Sequence, residues 1–341
     1  MSIKKVIISR TDNLGDVMLT LSMAGILKSQ IPGVTIYFLG KPYTQPIIEK
    51  CTFVDVFIDR EKIISGEINL ADYQADAIIY VFPDKEVSKH GMTAKIPMRI
   101  GTSHRFHHWL HCNKLVNFSR TNSSLHESQL NLKLLKPLGI EKEYSLNEIA
   151  TFTSFQANST GRDTITNVLG EKKLILVVHP KSKGSAREWP LKNYVTLILS
   201  LPKDKFNFLV TGTQVEGEKI KGEIPDFFDK TGAVDLTGKL SLNELITEIN
   251  DADALLACST GPLHIAAALG KHALGIYPPI KPMHAGRWAP VGKNTHVFSL
   301  EKNCEACRKS GLCVCIEAVE VVEVRNYLLG LASTQVLSEE L

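Results

Sequence analysis

The fold is decided by Lys5-Val-Ile-Ile-Ser-Arg-Thr-Asp-Asn-Leu-Gly-Asp16, a short apolar run followed by a polar turn. The β-branched run predicts a strand, and apolar residues at helical spacing continue from the turn to about Gln30. A second strand is predicted at residues 34–39. This order of elements is the opening of a βαβ unit.

The same pattern returns in the second half of the chain, at Leu174-Ile-Leu-Val-Val-His-Pro180. A turn rich in Gly, Ser and Lys follows, then a predicted helix at 191–200 and a strand near 206–211. Further strands are predicted at 54–58, 77–82, 254–257 and 273–277. Strands that alternate with helices favour parallel sheets, which bind ligands beyond the carboxyl ends of their strands. The polar stretch at 155–172 is the predicted domain junction.

Length and composition are those of a globular protein with two domains. The chain has 341 residues, 44% hydrophobic and 22% charged, and this length exceeds what one hydrophobic core usually serves. A formal net charge of +3 excludes a polybasic nucleic-acid coat and an acidic disordered tail. No apolar run reaches the ~20 residues of a bilayer span, and the first apolar run is too short for a secretory signal. We therefore expect a cytoplasmic protein.

The average charge conceals a basic segment at residues 85–120. Seven Lys or Arg and one acid give it a net charge of +6, against −3 for the rest of the chain, and it holds five of the eleven His. Such a segment is either a surface that receives an anionic partner or a solvated basic loop.

Four of the seven cysteines crowd into the pattern C-x2-C-x5-C-x-C, at Cys304, Cys307, Cys313 and Cys315. The first pair has a spacing typical of structural zinc or an iron–sulfur cluster, whereas the second pair is less usual. A stable disulfide is disfavoured in the cytoplasm. A structural metal therefore stays open beside the favoured interpretation, unmetallated thiols.

Three turns at predicted strand ends contain residues suited to chemistry. In the first, Asp16 is equally explained as a first-turn helix residue or as a catalytic carboxylate. The turn is neither a dinucleotide fingerprint nor a P-loop, since G-x-G-x-x-G and G-x-x-x-x-G-K-[ST] are both absent.

The second turn, residues 179–190, combines Gly184, hydroxyls and cations, which suits phosphate binding, although a solvated basic turn above Trp189 is the alternative. The third, residues 258–270, runs from a strand into a helix of small residues, whose free amides offer a second diphosphate site. His264 in that helix is either a ligand contact or a packed core residue.

These three motifs together resemble the lipopolysaccharide heptosyltransferases, glycosyltransferase family 9. The pattern R-T-D-x-x-G-D-x-x-L-T-L is present at residues 10–21. H-P-G-x-G-x-x-x-K-x-W-P is matched at 179–190, and D-T-G-P-x-H-x-A-A-A-L-G at 259–270.

The resemblance implies an α/β protein of GT-B fold, with two Rossmann-like domains whose mostly parallel sheets face a central cleft. Residues 1–160 would form the acceptor-binding domain and 161–316 the nucleotide-sugar-binding domain. The last helix, in 317–341, would return towards the first domain.

The resemblance also implies an inverting transfer of heptose, or a related sugar, from an ADP-linked donor to a lipopolysaccharide core. Asp16 would be the general base. Arg187 occupies the position of the family's phosphate-binding Lys, and Glu218 that of its ribose carboxylate, although Glu216 competes for this role. The remaining donor-binding residues would be Ser182, Ser259, Thr260, Gly261 and His264. These groups would stabilise the departing ADP without a catalytic metal or other cofactor.

The sequence departs from the family pattern in two places, so other functions stay open. The family's Asp before Thr-Gly-Pro is Ser259 here, so the donor could be another nucleotide sugar. Two glycines of the family's phosphate loop are Lys181 and Lys183. A non-catalytic member that binds nucleotide or glycolipid is the alternative from a different functional class.

The basic segment is interpreted through the same resemblance, because family acceptors bear carboxylates and phosphates. Arg99, Arg105 and Lys114 are the predicted acceptor-binding residues. Anionic lipids also attract clustered cations, so we expect a peripheral position on the cytoplasmic face of the inner membrane and no nucleic-acid partner.

Overall fold

The computed structural model describes residues 3–121, 123–157, 173–184, 186–302, 304 and 313–339. The chain forms two compact units, Met1–Gln156 and Ala157–Leu341. Among the described residues, no helix has both the length and the apolar character needed to cross a bilayer.

The first unit is built on a six-stranded parallel sheet. Its strands are β1 (Lys5–Ser9), β2 (Thr35–Gly40), β3 (Val56–Asp59), β4 (Ala77–Tyr80), β5 (Met98–Thr102) and β6 (Lys114–Val116). Their order in the sheet is β3-β2-β1-β4-β5-β6, so the direction of winding reverses between β1 and β4. This is a doubly wound sheet, in which ligands bind where the winding reverses.

Eight α-helices lie in the described part of this unit. They are α1 (Leu14–Met18), α2 (Ser22–Gln30), α3 (Gln45–Ile48), α4 (Arg60–Ser65), α5 (Lys85–Thr93), α6 (Phe106–His111), α7 (Glu127–Leu132) and α8 (Leu146–Thr151). Short 3-10 helices lie at Pro42–Thr44, Leu70–Tyr73 and Lys133–Leu138.

The second unit repeats the same sheet. Its strands are β7 (Leu174–His179), β8 (Phe206–Val210), β9 (Val234–Asp235), β10 (Ala254–Cys258), β11 (His272–Ile276) and β12 (Thr295–Phe298). Their order is β12-β11-β10-β7-β8-β9, and all the pairings are parallel. The winding therefore reverses between β7 and β10, as it does between β1 and β4.

The described helices of the second unit begin after β7. They are α9 (Leu191–Ser200), α10 (Gln214–Glu223), α11 (Phe227–Thr231), α12 (Leu242–Asp251), α13 (Gly261–Ala268), α14 (Ala285–Trp288), α15 (Val314–Glu317) and α16 (Val321–Glu339).

The central strands explain why the sequence folds in this way. β4, β7 and β10 are buried along their whole length, as expected for strands covered by helices on both faces. Edge strands such as β3, β9 and β12 are only partly buried and therefore tolerate polar residues.

The last helix packs in the core of the second unit. Val324 and Leu328 lie among the buried residues there, and the Arg325 guanidinium donates to the carbonyl oxygen of Ser200 at 3.1 Å. The predicted return of this helix towards the first domain stays a prediction.

The helix expected to run unbroken to Gln30 is instead divided into α1 and α2. The Thr20 hydroxyl donates to the carbonyl oxygen of Asp16 at 2.8 Å. The next amide, that of Leu21, bonds to the carbonyl three residues back rather than four. Such back-bonding competes with the regular helical pattern and interrupts the helix.

Candidate functional site

The three motifs lie where each sheet reverses its winding. The turn 10–16 follows β1, while the turn 179–190 follows β7, and α13 begins just after β10. The fold thus gathers the motif residues at the carboxyl ends of central strands, where doubly wound sheets bind their ligands.

Asp16 lies in the first turn of α1 with its side chain 15% exposed. The N-cap residue of this helix is Asn13, and no side-chain cap hydrogen bond forms there. The Asp16 carboxylate instead accepts a hydrogen bond from the Arg10 guanidinium. The carboxylate is therefore oriented by a cation and still reachable from solvent, as a general base must be.

Arg10 is buried and is shared among several acceptors. Its Nε donates to Asp12 at 2.6 Å, and its Nη1 lies 3.4 Å from Glu127 and 3.3 Å from Asn131 on α7. Burial alone would lower the pKa of Arg10, but the carboxylates of Asp12, Asp16 and Glu127 together raise it. Arg10 therefore stays a fixed positive charge beside Asp16.

Arg120, at the far end of the basic segment, contacts the same two residues of α7 as Arg10 does. Its guanidinium donates to Glu127, to Asn131 at 3.0 Å, and to the carbonyl oxygen of Val81 behind β4 at 3.3 Å. One carboxylate and one amide of α7 therefore hold two arginines at the switch point of the first sheet.

Asp12 is the titrating neighbour of Asp16. Burial raises the pKa of Asp12 to about 6, against the lowering influence of Arg10, and the charge of Asp16 raises it further. The site therefore contains a carboxyl group that changes charge near neutral pH.

In the second unit, the turn after β7 is held by internal contacts. Both the amide and the hydroxyl of Ser182 donate to Glu188, at 2.7 and 3.0 Å. Lys181 is buried and pairs with Glu188 and Glu223, whereas Lys183 is exposed. The two lysines that replace family glycines thus differ: one stabilises the turn and the other faces solvent.

Gly184 and Trp189 shape the remainder of this turn. Gly184 adopts a left-handed conformation, with φ 81°, which glycine accommodates without strain. Trp189 is fully buried, and its indole N–H donates to the carbonyl oxygen of Val319 at 3.0 Å. Arg187, which lies between Gly184 and Trp189 in the sequence, is half-buried.

The start of α13 presents a buried hydroxyl. Thr260 is its N-cap residue, yet its hydroxyl is buried and makes no hydrogen bond within the described part of the chain. Gly261 begins the helix, and His264 is buried one turn later. Ser259 is half-buried and bonds to the hydroxyl of Tyr277. A buried hydroxyl at a helix N-terminus is suited to an anionic ligand.

The two candidate ribose carboxylates occupy different environments. Glu216 is buried and caps α10, since its carboxylate accepts from the amide of Thr213 at 2.6 Å and from its hydroxyl at 2.9 Å. Glu218 is exposed and accepts from Gln214 at 3.1 Å. Glu218 is therefore the carboxylate of this pair that is free to meet a ligand.

The three predicted acceptor residues are not equivalent. Arg99 is half-buried and donates to the carbonyl oxygens of His111 at 2.8 Å and Ile96 at 2.6 Å. Arg105, which precedes α6, and Lys114, which begins β6, are exposed. Arg105 and Lys114 are therefore accessible to an anionic partner, whereas the Arg99 guanidinium is bonded to the backbone.

Of the four clustered cysteines, Cys307 lies outside the described residues. Cys313 and Cys315 are buried in the second core, and Cys304 hydrogen-bonds with Cys315. Within the ranges that the structure describes, no group of three or more His, Cys, Asp or Glu side chains could hold a metal ion.

Sequence reasoning missed the partners of Arg10. Glu127 is separated from it by 117 positions and Asn131 by 121, so no local spacing links them. One available signal was the capping box of α7, formed by His126 and Gln129, which marks a helix start.

Comparisons with known proteins place these features in a family. The model of glycosyltransferase family 9 (heptosyltransferase) matches residues 69–314. A Haemophilus influenzae protein named as a candidate glycosyltransferase is 24% identical over 320 residues, 90% of each chain.

Two solved structures share the fold. A glycosyltransferase family 9 protein of Veillonella parvula has a TM-score of 0.78 at 16% identity and covers 98% of this chain and 99% of its own. Escherichia coli ADP-heptose lps heptosyltransferase II has a TM-score of 0.74 at 17% identity and covers 99% and 100%. Two parallel six-stranded sheets with helices are the predicted GT-B fold, which is confirmed. The chain belongs to glycosyltransferase family 9, the heptosyltransferases.

Proposed function

We propose that this glycosyltransferase transfers heptose, or a related sugar, from an ADP-linked donor to an anionic lipopolysaccharide core acceptor, with inversion. The observation that supports it most is the Asp16 carboxylate, oriented by buried Arg10 at the carboxyl end of β1. The E. coli relative is an ADP-heptose enzyme, which supports the choice of donor.

Asp16 serves as the general base. It takes the proton of an acceptor hydroxyl while the hydroxyl oxygen bonds to the anomeric carbon of the donor. In the same displacement the bond from that carbon to the diphosphate oxygen breaks and ADP leaves with the electron pair. A single displacement of this kind inverts the anomeric configuration.

The second unit stabilises the departing diphosphate. Arg187 supplies two parallel N–H donors, and Thr260 supplies a hydroxyl next to the Gly261 amide at the start of α13. Ser182 and His264 would complete the phosphate environment, while Glu218 bonds to the nucleotide ribose. The charge of the leaving group is met by these groups, so we propose no catalytic metal.

The acceptor meets the basic segment of the first unit, chiefly at Arg105 and Lys114, which are exposed. Its lipid anchor keeps the reaction at the cytoplasmic face of the inner membrane. Charged core sugars and phosphates are the anions that this surface would receive.

A donor other than ADP-heptose is the second candidate, and Ser259 favours it. A hydroxyl bonded to Tyr277 stands where the family has a carboxylate. A half-buried serine makes fewer and weaker contacts to sugar hydroxyls than a carboxylate does. We therefore expect the donor to differ from ADP-heptose in its sugar rather than in its nucleotide.

Calorimetric titration with ADP, UDP and GDP, followed by a panel of ADP-sugars, tests the donor assignment. We expect ADP to bind at least about tenfold more tightly than the other two nucleotides. Thr260→Val should weaken ADP binding about tenfold, because it removes one charge-assisted hydrogen bond. Equal affinity for the three nucleotides would contradict the assignment of an adenine donor.

The pH dependence of transfer should follow Asp12. Its pKa, raised by burial to about 6, means that acidification below this value removes one negative charge from Arg10. Arg10 then pairs more strongly with Asp16 and makes it a poorer base, so kcat should fall as the pH drops through about 6. Asp12→Asn should show a low kcat and lose this limb of the profile. If Asp12→Asn kept the wild-type dependence of kcat on pH, titration of Asp12 would not be its cause.

Substitutions of the three predicted acceptor residues should differ in their effects on the free energy of unfolding and on the acceptor KM. Arg99→Ala removes two hydrogen bonds to backbone carbonyls and should lower the free energy of unfolding by about 1–3 kcal/mol. Arg105→Ala and Lys114→Ala should change it by no more than about 0.5 kcal/mol and should raise the acceptor KM instead. Denaturant unfolding and initial rates measure the two effects. Equal rises in acceptor and donor KM would argue against an acceptor surface.

A further inference from the structure

The helix α6 exposes a continuous apolar face. Phe106 is 80% exposed, and Trp109 and Leu110 are each 62% exposed. Their spacing of three and four residues places them on one side of the helix. Phe106 is the most exposed large hydrophobic side chain in the part of the chain that the structure describes.

The opposite side fixes this helix to the first unit. His108 and His111 are buried, and the His111 ring bonds to the Ser88 hydroxyl on α5 at 2.8 Å. The Trp109 indole N–H donates to the carbonyl oxygen of Ser103 at 2.8 Å. The polar atom of Trp109 is thus satisfied within the chain, and a rigid helix presents the apolar side chains outward.

Cations lie at the start of this helix and on its neighbour α5. Arg105 precedes the helix, and Lys85 and Lys89 lie exposed on α5, which packs against α6. Burial, the neighbouring His107 and the charges of Lys85 and Lys89 lower the pKa of His111, which indicates that both lysines are close to α6. Glu86 is the acid that opposes them there. Asp84 also acts on His107 of α6 but is paired with Arg60 at 2.6 Å. Arg105, Lys85 and Lys89 against Glu86 therefore leave the surroundings positive.

We propose that this face docks the enzyme on anionic phospholipid bilayers. Phe106, Trp109 and Leu110 enter the boundary between headgroups and acyl chains, and the flanking lysines and Arg105 contact the phosphates. Aromatic and aliphatic side chains beside cations are the pattern of helices that lie in a membrane interface. Three side chains are too few for the area of a stable protein interface, which argues against a second copy as the occupant.

This inference rests on the proposed function, since a membrane-anchored acceptor explains why the enzyme should reach a bilayer. It adds the residues that make the contact; they do not include Asp16, and they share only Arg105 with the acceptor-binding side chains.

Vesicle binding tests the docking face directly. We expect the full chain to co-sediment with vesicles of phosphatidylcholine and phosphatidylglycerol at least about tenfold more tightly than with phosphatidylcholine alone. The triple variant Phe106→Ser, Trp109→Ser, Leu110→Ser should lose this binding. Leu199→Ser, on the exposed side of α9, is the matched control and should retain it. Triple-variant binding equal to wild type would overturn the inference.

Tryptophan fluorescence locates the contact. Brominated phospholipid in the anionic vesicles should quench wild-type emission, and Trp109→Phe should abolish that quenching, because Trp189 is buried and the half-buried Trp288 lies on α14, outside the docking face. Undiminished quenching in Trp109→Phe would overturn the docking geometry. A wild-type dimer seen by sedimentation without lipid, and lost in the triple variant, would assign the face to a second copy instead.

Transfer to a deacylated, water-soluble acceptor distinguishes failure of the docking proposal from failure of the proposed function. The triple variant should match the wild-type rate there. Wild-type transfer without vesicle binding would refute the docking face and leave the proposed function intact, whereas vesicle binding without transfer from any ADP-sugar would refute the function.

Discussion

Asp16→Asn is expected to lower kcat about a thousandfold, within the range that general bases contribute. The amide keeps the size of the side chain but cannot accept the acceptor proton. Arg10 retains Asp12, Glu127 and Asn131 as partners, so the first unit should still fold. Steady-state rates on a deacylated core acceptor, with ADP affinity measured in parallel, provide the test. ADP affinity should not change.

Asp72→Asn is the matched control for this substitution. Asp72 is an exposed aspartate in the 3-10 helix Leu70–Tyr73 of the same unit, and its replacement should leave the rate unchanged. If Asp16→Asn kept more than about a tenth of the wild-type kcat, Asp16 would not be the base.

Arg187→Ala should weaken kcat/KM for the donor about 100- to 1,000-fold, through both ADP affinity and leaving-group stabilisation. A guanidinium contacts two diphosphate oxygens at once, and its removal leaves a developing negative charge without this donor. Arg187→Lys should recover a substantial part of the loss, because an ammonium still supplies the charge but only as a point. Donor titrations and initial rates distinguish the three proteins.

Lys183→Ala controls for the general positive charge of the same turn. Lys183 is exposed, whereas Arg187 is half-buried, so the Lys183 change should cost less than about threefold. An effect of Lys183→Ala as large as that of Arg187→Ala would mean that the turn acts through its overall charge and not through a bound diphosphate.

The sequence predicts the central strands well because they are buried on both faces. β1, β4, β7 and β10 are uninterrupted apolar runs or nearly so, and each was expected within a few residues of its observed bounds. β5 and β6 were not expected, since Met98–Thr102 and Lys114–Val116 are short and contain Arg99, Gly101 and Lys114 within a basic segment. β6 is the edge strand and β5 lies next to it, away from the centre of the sheet. Polar and charged residues are tolerated there, and they hide the apolar pattern that predicts a strand.

In the candidate site, too, local sequence predicts some residues and not others. Asp16 lies on the turn after β1 of the first sheet. Arg187 and Thr260 follow β7 and β10, which are neighbours in the second sheet, so the local sequence places these two at the same edge once that sheet is known. The partners of Arg10 come from α7, far along the chain, and only tertiary packing brings them to the switch point. The raised pKa of Asp12 likewise depends on burial and on Asp16, neither of which its spacing specifies.

The most direct measurement supplies ADP-heptose and a deacylated core acceptor to the wild type and to Asp16→Asn, with the product linkage determined by NMR. We expect one ADP released for each heptose transferred, a product whose anomeric configuration is opposite to that of the donor, and almost no product from the variant. Retained configuration, or equal rates for the two proteins, would contradict a single displacement driven by Asp16.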